Sequence, residues 1–421
     1  MRKLLKENYH WVIAAVALLQ MLIYGGAVNN FSGYHMIPVT EALGISRTAF
    51  SLAESARSVA GVIATLFSGL IIQRFGFRKS ISAALGVACV SYLIFANLQT
   101  YWMLIAGCVL MGIAHGFCFT AGVTRLINGW FQKFRGTVTG LVTAATGVGS
   151  TLLGFVQAPA VERVSWRLSF WIVAGLQFFL ALLVFLLVRN EPRDVGLRPY
   201  GEGQTSGEKK KVALWDGFPM DFLKKRPSYY LLCVCTLLSC MCVLMTQYNL
   251  VPYFQDCGMS VTRTSKLYGI MMLALGIFKL LMGVLCDAIG SKRVLVLCHV
   301  ACSLGLSMVL VLPQTDMAMI LALIVFDLAI PLTTMMFPLV SADMFGIRAQ
   351  HQYVGTVVAM ATAGNIFSGM LANLVYDTLG SYRPVFWGSA IMALAMIPIY
   401  GIVFAAAKRD KKTYDSQLEV Q

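Results

Sequence analysis

Long apolar runs follow one another along most of this chain, and short breaks containing charged residues, glycine or proline separate them. A helix needs about 20 residues to cross a bilayer, and most of these runs reach that length. Backbone groups in lipid must be hydrogen-bonded within the protein, so runs of this kind predict helices. We predict an all-α membrane protein with twelve transmembrane helices, at about 10–33, 49–73, 80–98, 102–126, 137–159, 168–188, 228–250, 265–287, 293–312, 317–340, 353–376 and 384–406.

The second half of the chain repeats a residue pattern of the first half, 214 positions later and without a gap. The matching pairs include Tyr34 and Tyr248, Pro38 and Pro252, Gly44 and Gly258, Ser46 and Ser260, Thr48 and Thr262, and Leu66 and Leu280. A half-length repeat in an apolar chain is typical of transporters built from two pseudo-symmetric six-helix bundles. We predict an N-terminal bundle at 1–188, a linker at 189–227, a C-terminal bundle at 228–407 and a cytoplasmic tail at 408–421.

Two polar stretches lie outside the predicted bundles. The end of the linker, from Leu214 and Trp215 to Arg226, combines bulky apolar residues with cations. An interfacial helix would have this composition, and so would a disordered basic tether with a few aromatic residues. The tail after Lys408 is short and charged, and we predict that it is mobile.

Charge is scarce and unevenly placed. Hydrophobic residues make up 58% of the chain and charged residues 12%, about half of what a soluble domain carries. The net charge is +14, and the cations concentrate in alternate loops, as at Arg2, Lys3, Lys6, Lys209 to Lys211 and Lys408 to Lys412. This positive-inside pattern predicts a multi-pass protein of the cytoplasmic (inner) membrane with both termini in the cytoplasm. No basic stripe with interleaved aromatic residues occurs, which argues against nucleic acid as a partner.

The first apolar run follows three cations, as the core of a signal peptide does. It is too long for such a core, and its Tyr34 to Ser46 stretch recurs downstream, so we predict a retained first helix. The 11 cysteines lie mostly inside apolar runs and lack the spacing of metal or redox sites. The sequence also contains no nucleotide-binding glycine loop and no Ser/His/Asp constellation. We therefore expect no enzyme, no catalytic residues, no cofactor and no metal.

Two copies of a loop motif fall at the inner ends of predicted helices. The first copy contains Gly69, Gln73, Arg74, Gly76 and Arg78, and the second contains Gly283, Asp287, Gly290, Lys292 and Arg293. This pattern resembles the loop signature of the major facilitator superfamily, Gly-x-x-x-Asp followed by a glycine and a basic pair. The first copy has Gln73 where the signature has Asp, so we expect a charge latch there to be weaker than at Asp287.

Other stretches are similar to the oxalate:formate antiporter family and related monocarboxylate porters. They are Asn128 to Gly136, Glu191 to Gly196, Asn249 to Gly258 and Ala342 to Gly346. In those families a cation at the position of Lys279 meets the substrate carboxylate, so the resemblance implies a substrate-binding role for Lys279. The lysine that oxalate porters carry in helix 11 is replaced by alanine within Ala361 to Gly364. This departure argues against oxalate and favours a monocarboxylate or a zwitterion.

Ionisable residues inside the apolar runs are the main functional candidates, because a charge at membrane depth is costly unless it faces a partner or a cavity. Asp327 is the candidate coupling carboxylate, and the alternative is a fixed Lys279–Asp327 pair. Arg57 is a candidate for a second positive charge that attracts the anion, although Glu54, one turn away, could simply neutralise this charge. Glu54 and His115 complete the coupling candidates, although a histidine in this position is more often a hydrogen-bonded core residue than a proton carrier.

Polar and aromatic residues at corresponding ends of helices 1 and 7 are candidates for lining the substrate cavity. They are Tyr24, Asn29 and Tyr34 in the first helix and Gln247, Tyr248 and Asn249 in the seventh. An aromatic belt at the membrane interface is the competing interpretation of the tyrosines.

These patterns predict a secondary active transporter that moves a small carboxylate by alternating access, as an antiporter or a proton symporter. The expected partners are the substrate, protons or a counter-substrate, and the lipid bilayer, and we expect a monomer. An efflux porter for hydrophobic or cationic compounds, and a porter-like membrane sensor, remain alternatives.

Overall fold

The structure is a computed structural model, and it describes residues 8–201, 217–334, 336–346 and 348–419. Within these ranges there are 12 helices long and apolar enough to cross a membrane, which confirms the predicted fold class. Numbered as spans 1 to 12 in chain order, they are Tyr9–Leu43, Arg47–Phe75, Phe77–Ala96, Tyr101–Trp130, Thr137–Arg163, Trp166–Leu187, Pro227–Asp256, Val261–Cys286, Ser291–Val311, Asp316–Thr333, Tyr353–Leu379 and Arg383–Ser416. The described ranges contain no β-strand, only one isolated bridge between Phe131 and Tyr200.

Several spans start and stop at residues that satisfy the free backbone groups of a helix end. The Ser46 hydroxyl accepts a hydrogen bond from the Ala49 N–H at the start of span 2, and the Thr100 hydroxyl does the same for Met103 at the start of span 4. Span 1 ends at Gly44, whose φ of 62° lies in the left-handed region that favours glycine. Short polar loops therefore define the helix boundaries.

Spans 1, 4, 7 and 10 are interrupted, one in every three along the chain. The helical pieces are Tyr9–Gln20 and Gly26–Leu43 around a π-helical turn at Met21–Gly25, Tyr101–Cys118 and Thr120–Trp130, Pro227–Gln247 and Leu250–Asp256, and Asp316–Asp327 and the 3₁₀ turn Ile330–Thr333. Interrupted helices in transporters often supply the groups that bind substrates and ions. The breaks therefore indicate where functional side chains should be sought.

Helix contacts divide the chain into two compact units. The first lies within Met1–Glu208 and Leu250–Gly276, and the second within Lys209–Asn249 and Ile277–Gln421. The boundary thus crosses span 7 at its break and span 8 at Gly276. The sequence repeat, in contrast, places residues 250–276 in the C-terminal bundle. The domain boundaries at 188 and 228 are boundaries of the repeat, and as domain boundaries they stay a prediction.

Polar contacts explain why residues 250–276 cluster with the first unit. The Arg47 guanidinium donates two hydrogen bonds of 2.7 Å to the Asp256 carboxylate. The Glu162 carboxylate accepts a hydrogen bond of 2.9 Å from the Thr262 N–H, in the first turn of span 8. These groups attach the second half of span 7 and the start of span 8 to spans 2 and 5.

Close helix packing in the first unit depends on small residues between spans 2 and 4. A Cβ added to Gly112 would lie 2.2 Å from the Arg57 carbonyl oxygen, and one added to Gly116 would lie 2.6 Å from the Ala64 Cβ. Only glycine permits such an approach of two backbones. The packing brings His115, between the two glycines, next to the segment that carries Arg57.

In the second unit, a buried polar group joins three spans. The His299 Nε2 of span 9 lies 2.9 Å from the Ser239 hydroxyl of span 7. The same hydroxyl lies 3.0 Å from the Tyr400 hydroxyl of span 12. Because all three side chains are buried, these hydrogen bonds fix the relative positions of the spans.

The linker and the tail depart from the sequence-based picture in part. The predicted interfacial segment lies outside the described residues from 214 to 216, and its remainder contains the one-turn helix Met220–Leu223. The last helix continues from Arg383 to Glu419 and includes most of the tail, and the mobility of the tail stays a prediction. The Asp410 carboxylate accepts a 2.5 Å hydrogen bond from the Ser228 hydroxyl, which attaches the tail to the start of span 7.

Candidate functional site

The first unit holds a buried ion pair on span 2. The Arg57 guanidinium lies 3.3 Å from the Glu54 carboxylate, and the side chains are 14% and 12% exposed. Glu54 also accepts a hydrogen bond of 2.6 Å from the Ser32 hydroxyl of span 1. The spacing of three residues puts the two charges on one helix face, as expected from the sequence. Each charge is therefore compensated inside the unit.

His115 of span 4 lies beside this pair. Its ring stacks on Phe119 with centroids 4.3 Å apart, and Phe119 is the extended residue that interrupts span 4. Arg57 acts electrostatically on His115. Among the described residues, none hydrogen-bonds the buried His115 Nδ1. The imidazole therefore keeps one free ring nitrogen next to the break in span 4.

The three candidates on span 1 contact neighbouring helices. The Tyr24 hydroxyl donates to the Met111 carbonyl at 3.3 Å, and the Asn29 amide donates to the Ser150 hydroxyl at 3.2 Å. The Tyr34 hydroxyl donates to the Ser265 hydroxyl at 3.1 Å. Both tyrosines are fully buried. Their positions inside helix contacts do not match an interfacial aromatic belt, and a cavity role for these residues stays a prediction.

The second unit holds Lys279 and Asp327. Asp327 is the last residue of the α-helical part of span 10, and its solvent exposure is 0%. Within the part of the chain that the structure describes, neither carboxylate oxygen has a hydrogen-bond partner. Lys279 of span 8 is partly buried and attracts Asp327 electrostatically. The described atoms of the two side chains nevertheless form no nitrogen–oxygen contact of 4.0 Å or less.

The break in span 7 carries the remaining substrate candidates. The Tyr248 hydroxyl donates to the Asn365 carbonyl oxygen at 2.8 Å, which ties span 7 to span 11. The Asn249 amide donates to the Met245 carbonyl at 2.8 Å. The Asn249 side-chain oxygen is buried and has no partner in the described ranges. Gln247 is partly buried at the end of the preceding helix.

The first loop motif is fixed to the end of span 6. Gly76 has a φ of 81°, and the Arg78 N–H donates to the Asn190 side-chain oxygen at 3.0 Å. The Arg78 guanidinium donates to the Phe185 carbonyl at 2.6 Å. Gln73 is exposed.

Arg74 and Gly69 of the first loop motif have different neighbours. Arg74 lies 5.5 Å from the Phe75 ring. Gly69 leaves room for the Arg125 guanidinium, 3.6 Å from where a Cβ would be, and Arg125 donates to the Ser68 hydroxyl at 2.7 Å. The charge next to Gly69 therefore pairs with a neutral hydroxyl.

The second loop motif repeats the backbone turn of the first. Gly290 has a φ of 86°, close to that of Gly76. The Lys292 ammonium lies 5.0 Å from the Phe404 ring of span 12, and Arg293 is exposed. Gly283 and Asp287 lie within the helix Val261–Ile289, but the surroundings of Gly283 and the side chain of Asp287 are not described. The comparison of Gln73 with Asp287 therefore stays a prediction.

The structure groups the candidates as two sets. Arg57, Glu54 and His115 come together in the first unit, and Lys279 attracts Asp327 in the second. Sequence reasoning missed the Ser32 donor to Glu54, the Asn365 partner of Tyr248 and the Arg47–Asp256 pair, because each contact joins two different spans. No group of three or more His, Cys, Asp or Glu suited to a metal ion occurs among the described residues.

Comparison with known proteins adds a family and several relatives. The sequence profile of the Major Facilitator Superfamily matches residues 16–271 and residues 232–419. The chain is 26% identical over 292 residues to the uncharacterized MFS-type transporter YcxA of Bacillus subtilis (strain 168), a match that covers 66% of each protein.

Two further relatives have named cargoes. Sugar phosphate exchanger 3 of Xenopus laevis is 27% identical over 192 residues, which cover 42% of this chain and 37% of the exchanger. The glycerol-3-phosphate transporter of Bacillus subtilis (strain 168) is 24% identical over 215 residues, which cover 45% of this chain and 46% of the transporter. The chain thus spans less than half the length of these two relatives.

Solved structures share the fold at low sequence identity. The nucleoside transporter NupG superposes with a TM-score of 0.71 at 15% identity, covering 93% of this chain and 99% of NupG. A bacterial homolog to the human lysosomal transporter Spinster superposes with a TM-score of 0.70 at 13% identity, covering 96% of this chain and 98% of the homolog. Identities this low establish the fold alone.

Proposed function

The chain belongs to the Major Facilitator Superfamily, and on that premise we propose that it is a secondary active transporter that moves a small organic anion by alternating access. The proposal includes a location in the cytoplasmic membrane with both termini in the cytoplasm, as the distribution of Lys and Arg indicates.

The observation that carries the proposal is the environment of Lys279. Its side chain is partly buried in an apolar span, and Asp327 attracts it without a contact of 4.0 Å or less between the described atoms. A lysine in such a place retains hydrogen-bonding capacity for another anion, and a charge at membrane depth is costly unless it serves a partner or a cavity. We assign Lys279 as the group that receives the anionic end of the substrate.

The roles of the other charged groups follow from this assignment. Arg57 supplies a second positive charge, which Glu54 at 3.3 Å partly offsets. Asp327 acts as the switch that links substrate binding to the transport cycle, and Glu54 and His115 are secondary proton-coupling groups. Both antiport and proton symport are compatible with these roles.

The relatives indicate two classes of anion to compare. Their names refer to a sugar phosphate and to glycerol 3-phosphate, whereas the sequence patterns favour a monocarboxylate. The candidate groups comprise two cations, Lys279 and Arg57, and two acids, Asp327 and Glu54. Within the second unit the single positive charge of Lys279 lies in the field of the Asp327 carboxylate, so a singly charged carboxylate or a zwitterion fits better than a phosphate dianion. The narrower likeness to the oxalate:formate antiporter family stays a prediction.

A binding screen followed by flux tests the proposal. Purified protein is heated with lactate, gluconate, glucuronate, glycerol 3-phosphate, glucose 6-phosphate or oxalate, because a ligand of the folded state raises the melting temperature. Anions that bind are then tested as radiolabelled cargo in proteoliposomes. We expect Lys279→Ala to lose both binding and flux, and Lys279→Arg to retain part of them.

The matched control is Lys266→Ala, which removes an exposed lysine from the same span. It should leave binding and flux unchanged. Binding without flux would favour a sensor, and flux of hydrophobic cations that survives Lys279→Ala would favour an efflux porter. Failure of every anion to bind the wild type would reject the proposed function.

A further inference from the structure

We propose, building on the anion transport proposed above, that the substrate carries a hydroxyl or ammonium donor beside its anionic group and that Asp327 accepts a hydrogen bond from this donor. This role for Asp327 follows from the surroundings of its side chain. It narrows the substrate class from small organic anions to hydroxylated or aminated ones.

The Asp327 carboxylate is an acceptor that the rest of the described chain leaves unused. Its side chain has 0% solvent exposure, and both oxygens lack a hydrogen-bond partner among the residues that the structure describes. Most buried polar atoms in folded proteins have such a partner, and an ionised group without one is especially unfavourable. A buried carboxylate without a hydrogen-bond donor points to a ligand that supplies this donor.

The position of Asp327 in span 10 makes its surroundings poor in donors. The α-helix Asp316–Asp327 ends at this residue, and a 3₁₀ turn follows at Ile330–Thr333. A helix end presents free carbonyl groups and the negative end of the helix dipole, which disfavour a carboxylate. Helix caps normally place cations or glycine here. Asp327 therefore does not serve to stabilise the end of its own helix.

The acid in the first unit shows what a carboxylate with its own donors looks like in this protein. Glu54 accepts a hydrogen bond of 2.6 Å from Ser32 and lies 3.3 Å from the Arg57 guanidinium. Asp327 has neither kind of contact within the described ranges, since even Lys279 stays beyond 4.0 Å. The two acids differ in the donors around them, and only Asp327 leaves two acceptor atoms for a ligand.

A ligand suited to this pair must be bifunctional. Lys279 can only donate hydrogen bonds, and an ionised Asp327 can only accept them. An anion with a neighbouring hydroxyl or ammonium group satisfies both side chains at once. An unsubstituted acid satisfies Lys279 but leaves the Asp327 acceptor unpaired, and sites built to hydrogen-bond a hydroxyl strongly reject analogues that lack it.

Matched pairs of anions test the inference on the full-length protein. Lactate is compared with propanoate, glycerol 3-phosphate with propyl phosphate, and gluconate with hexanoate, so that each pair differs in its hydroxyl groups. Alanine is added to test an ammonium donor against the lactate hydroxyl. Dissociation constants are measured by calorimetry for the wild type, Asp327→Asn, Asp327→Ala and the control Asp316→Asn, which changes an exposed acid at the other end of the same helix.

We expect the wild type and the control to bind the donor-bearing member of at least one pair at least tenfold more tightly. Asp327→Ala should bring this ratio close to one. Asp327→Asn keeps the shape of the side chain but removes its charge, so it should reduce the ratio, and it can be measured if the alanine variant is unstable. The inference is overturned if the wild type binds both members of every pair equally, or if Asp327→Ala, folded as judged by its melting temperature, retains the full ratio. Either result leaves the proposed function standing, whereas absence of binding by all anions rejects that function itself.

Discussion

The two units solve the problem of a buried charge in different ways. In the first unit, Glu54 and Arg57 lie 3.3 Å apart on one helix, and Ser32 adds a hydrogen bond. In the second unit, Asp327 and Lys279 lie on different spans and attract each other without contact between their described atoms. A compensated pair is a stable part of the scaffold, whereas an uncompensated pair keeps binding capacity. This difference favours Lys279 and Asp327 for the leading functional role.

The largest expected effect comes from removing one charge in each unit. Lys279→Ala should lower the transport rate by a factor of about 100 or more, because it removes the group that receives the anion. Arg57→Ala should reduce transport less, but it should destabilise the fold by about 3–5 kcal/mol because Glu54 would remain as an uncompensated buried charge. Flux in proteoliposomes and chemical denaturation measure the two effects separately. Equal losses of transport in the two variants, with no loss of stability for Arg57→Ala, would remove the contrast.

The loop glycines allow a second comparison between the halves. Gly76 and Gly290 both have positive φ, of 81° and 86°. A Cβ at Gly76 would lie 2.6 Å from the Asn190 side-chain oxygen, whereas a Cβ at Gly290 would have no described atom within 4 Å. Both alanine variants are strained by about 1 kcal/mol, and Gly76→Ala should lose roughly another 1–2 kcal/mol through the clash. Melting temperatures of the purified variants test the order, and a larger loss for Gly290→Ala would contradict it.

A smaller effect is expected from the ion pair that attaches span 7 to span 2. Arg47 and Asp256 form two hydrogen bonds of 2.7 Å but are 12% and 27% exposed. Asp256→Asn should therefore destabilise the protein by only about 1 kcal/mol, less at high salt. A thermal-shift series in increasing salt provides the measurement. The Arg47→Gln variant should lose a similar amount of stability. If the loss of stability in either variant did not depend on salt, a surface ion pair would not be its source.

The smallest effect is expected at the position where the two loop motifs differ. Gln73 is exposed, so Gln73→Asp should change stability by less than about 0.5 kcal/mol. Denaturation curves of the wild type and the variant test this expectation. A clear stabilisation would mean that an acid at this position gains a cation partner, as the loop signature of the superfamily anticipates for Asp287.

Most of the fold was predictable, because the length of each hydrophobic run is a local property and the internal repeat is visible in the residue pattern. The 12 spans and the all-α class follow from these two features, and the superfamily follows from the resemblance of the two loop motifs. The spacing of Glu54 and Arg57 likewise places them on one helix face, and the structure confirms this contact. What depends on a single helix could therefore be derived from its residues.

Contacts between spans could not be derived in the same way. Nothing in the residue pattern indicates that Ser32 donates to Glu54, that Asn365 accepts from Tyr248 or that residues 250–276 cluster with the first unit. The helix that runs through most of the tail, and the contact of Asp410 with Ser228, were likewise not visible in the sequence. These features depend on which helices pack together and which side chains then meet. Such contacts do not appear as a repeating pattern in a single sequence.

The most direct test of the central claim is an experimental structure of the full chain with a bound anion from the screen. We expect an anionic oxygen within about 3.2 Å of the Lys279 Nζ, the distance of a hydrogen bond. We also expect a donor of the same ligand at the Asp327 carboxylate. An anion bound elsewhere, with the Lys279 Nζ hydrogen-bonded to Asp327 instead and in contact with no ligand, would contradict the claim.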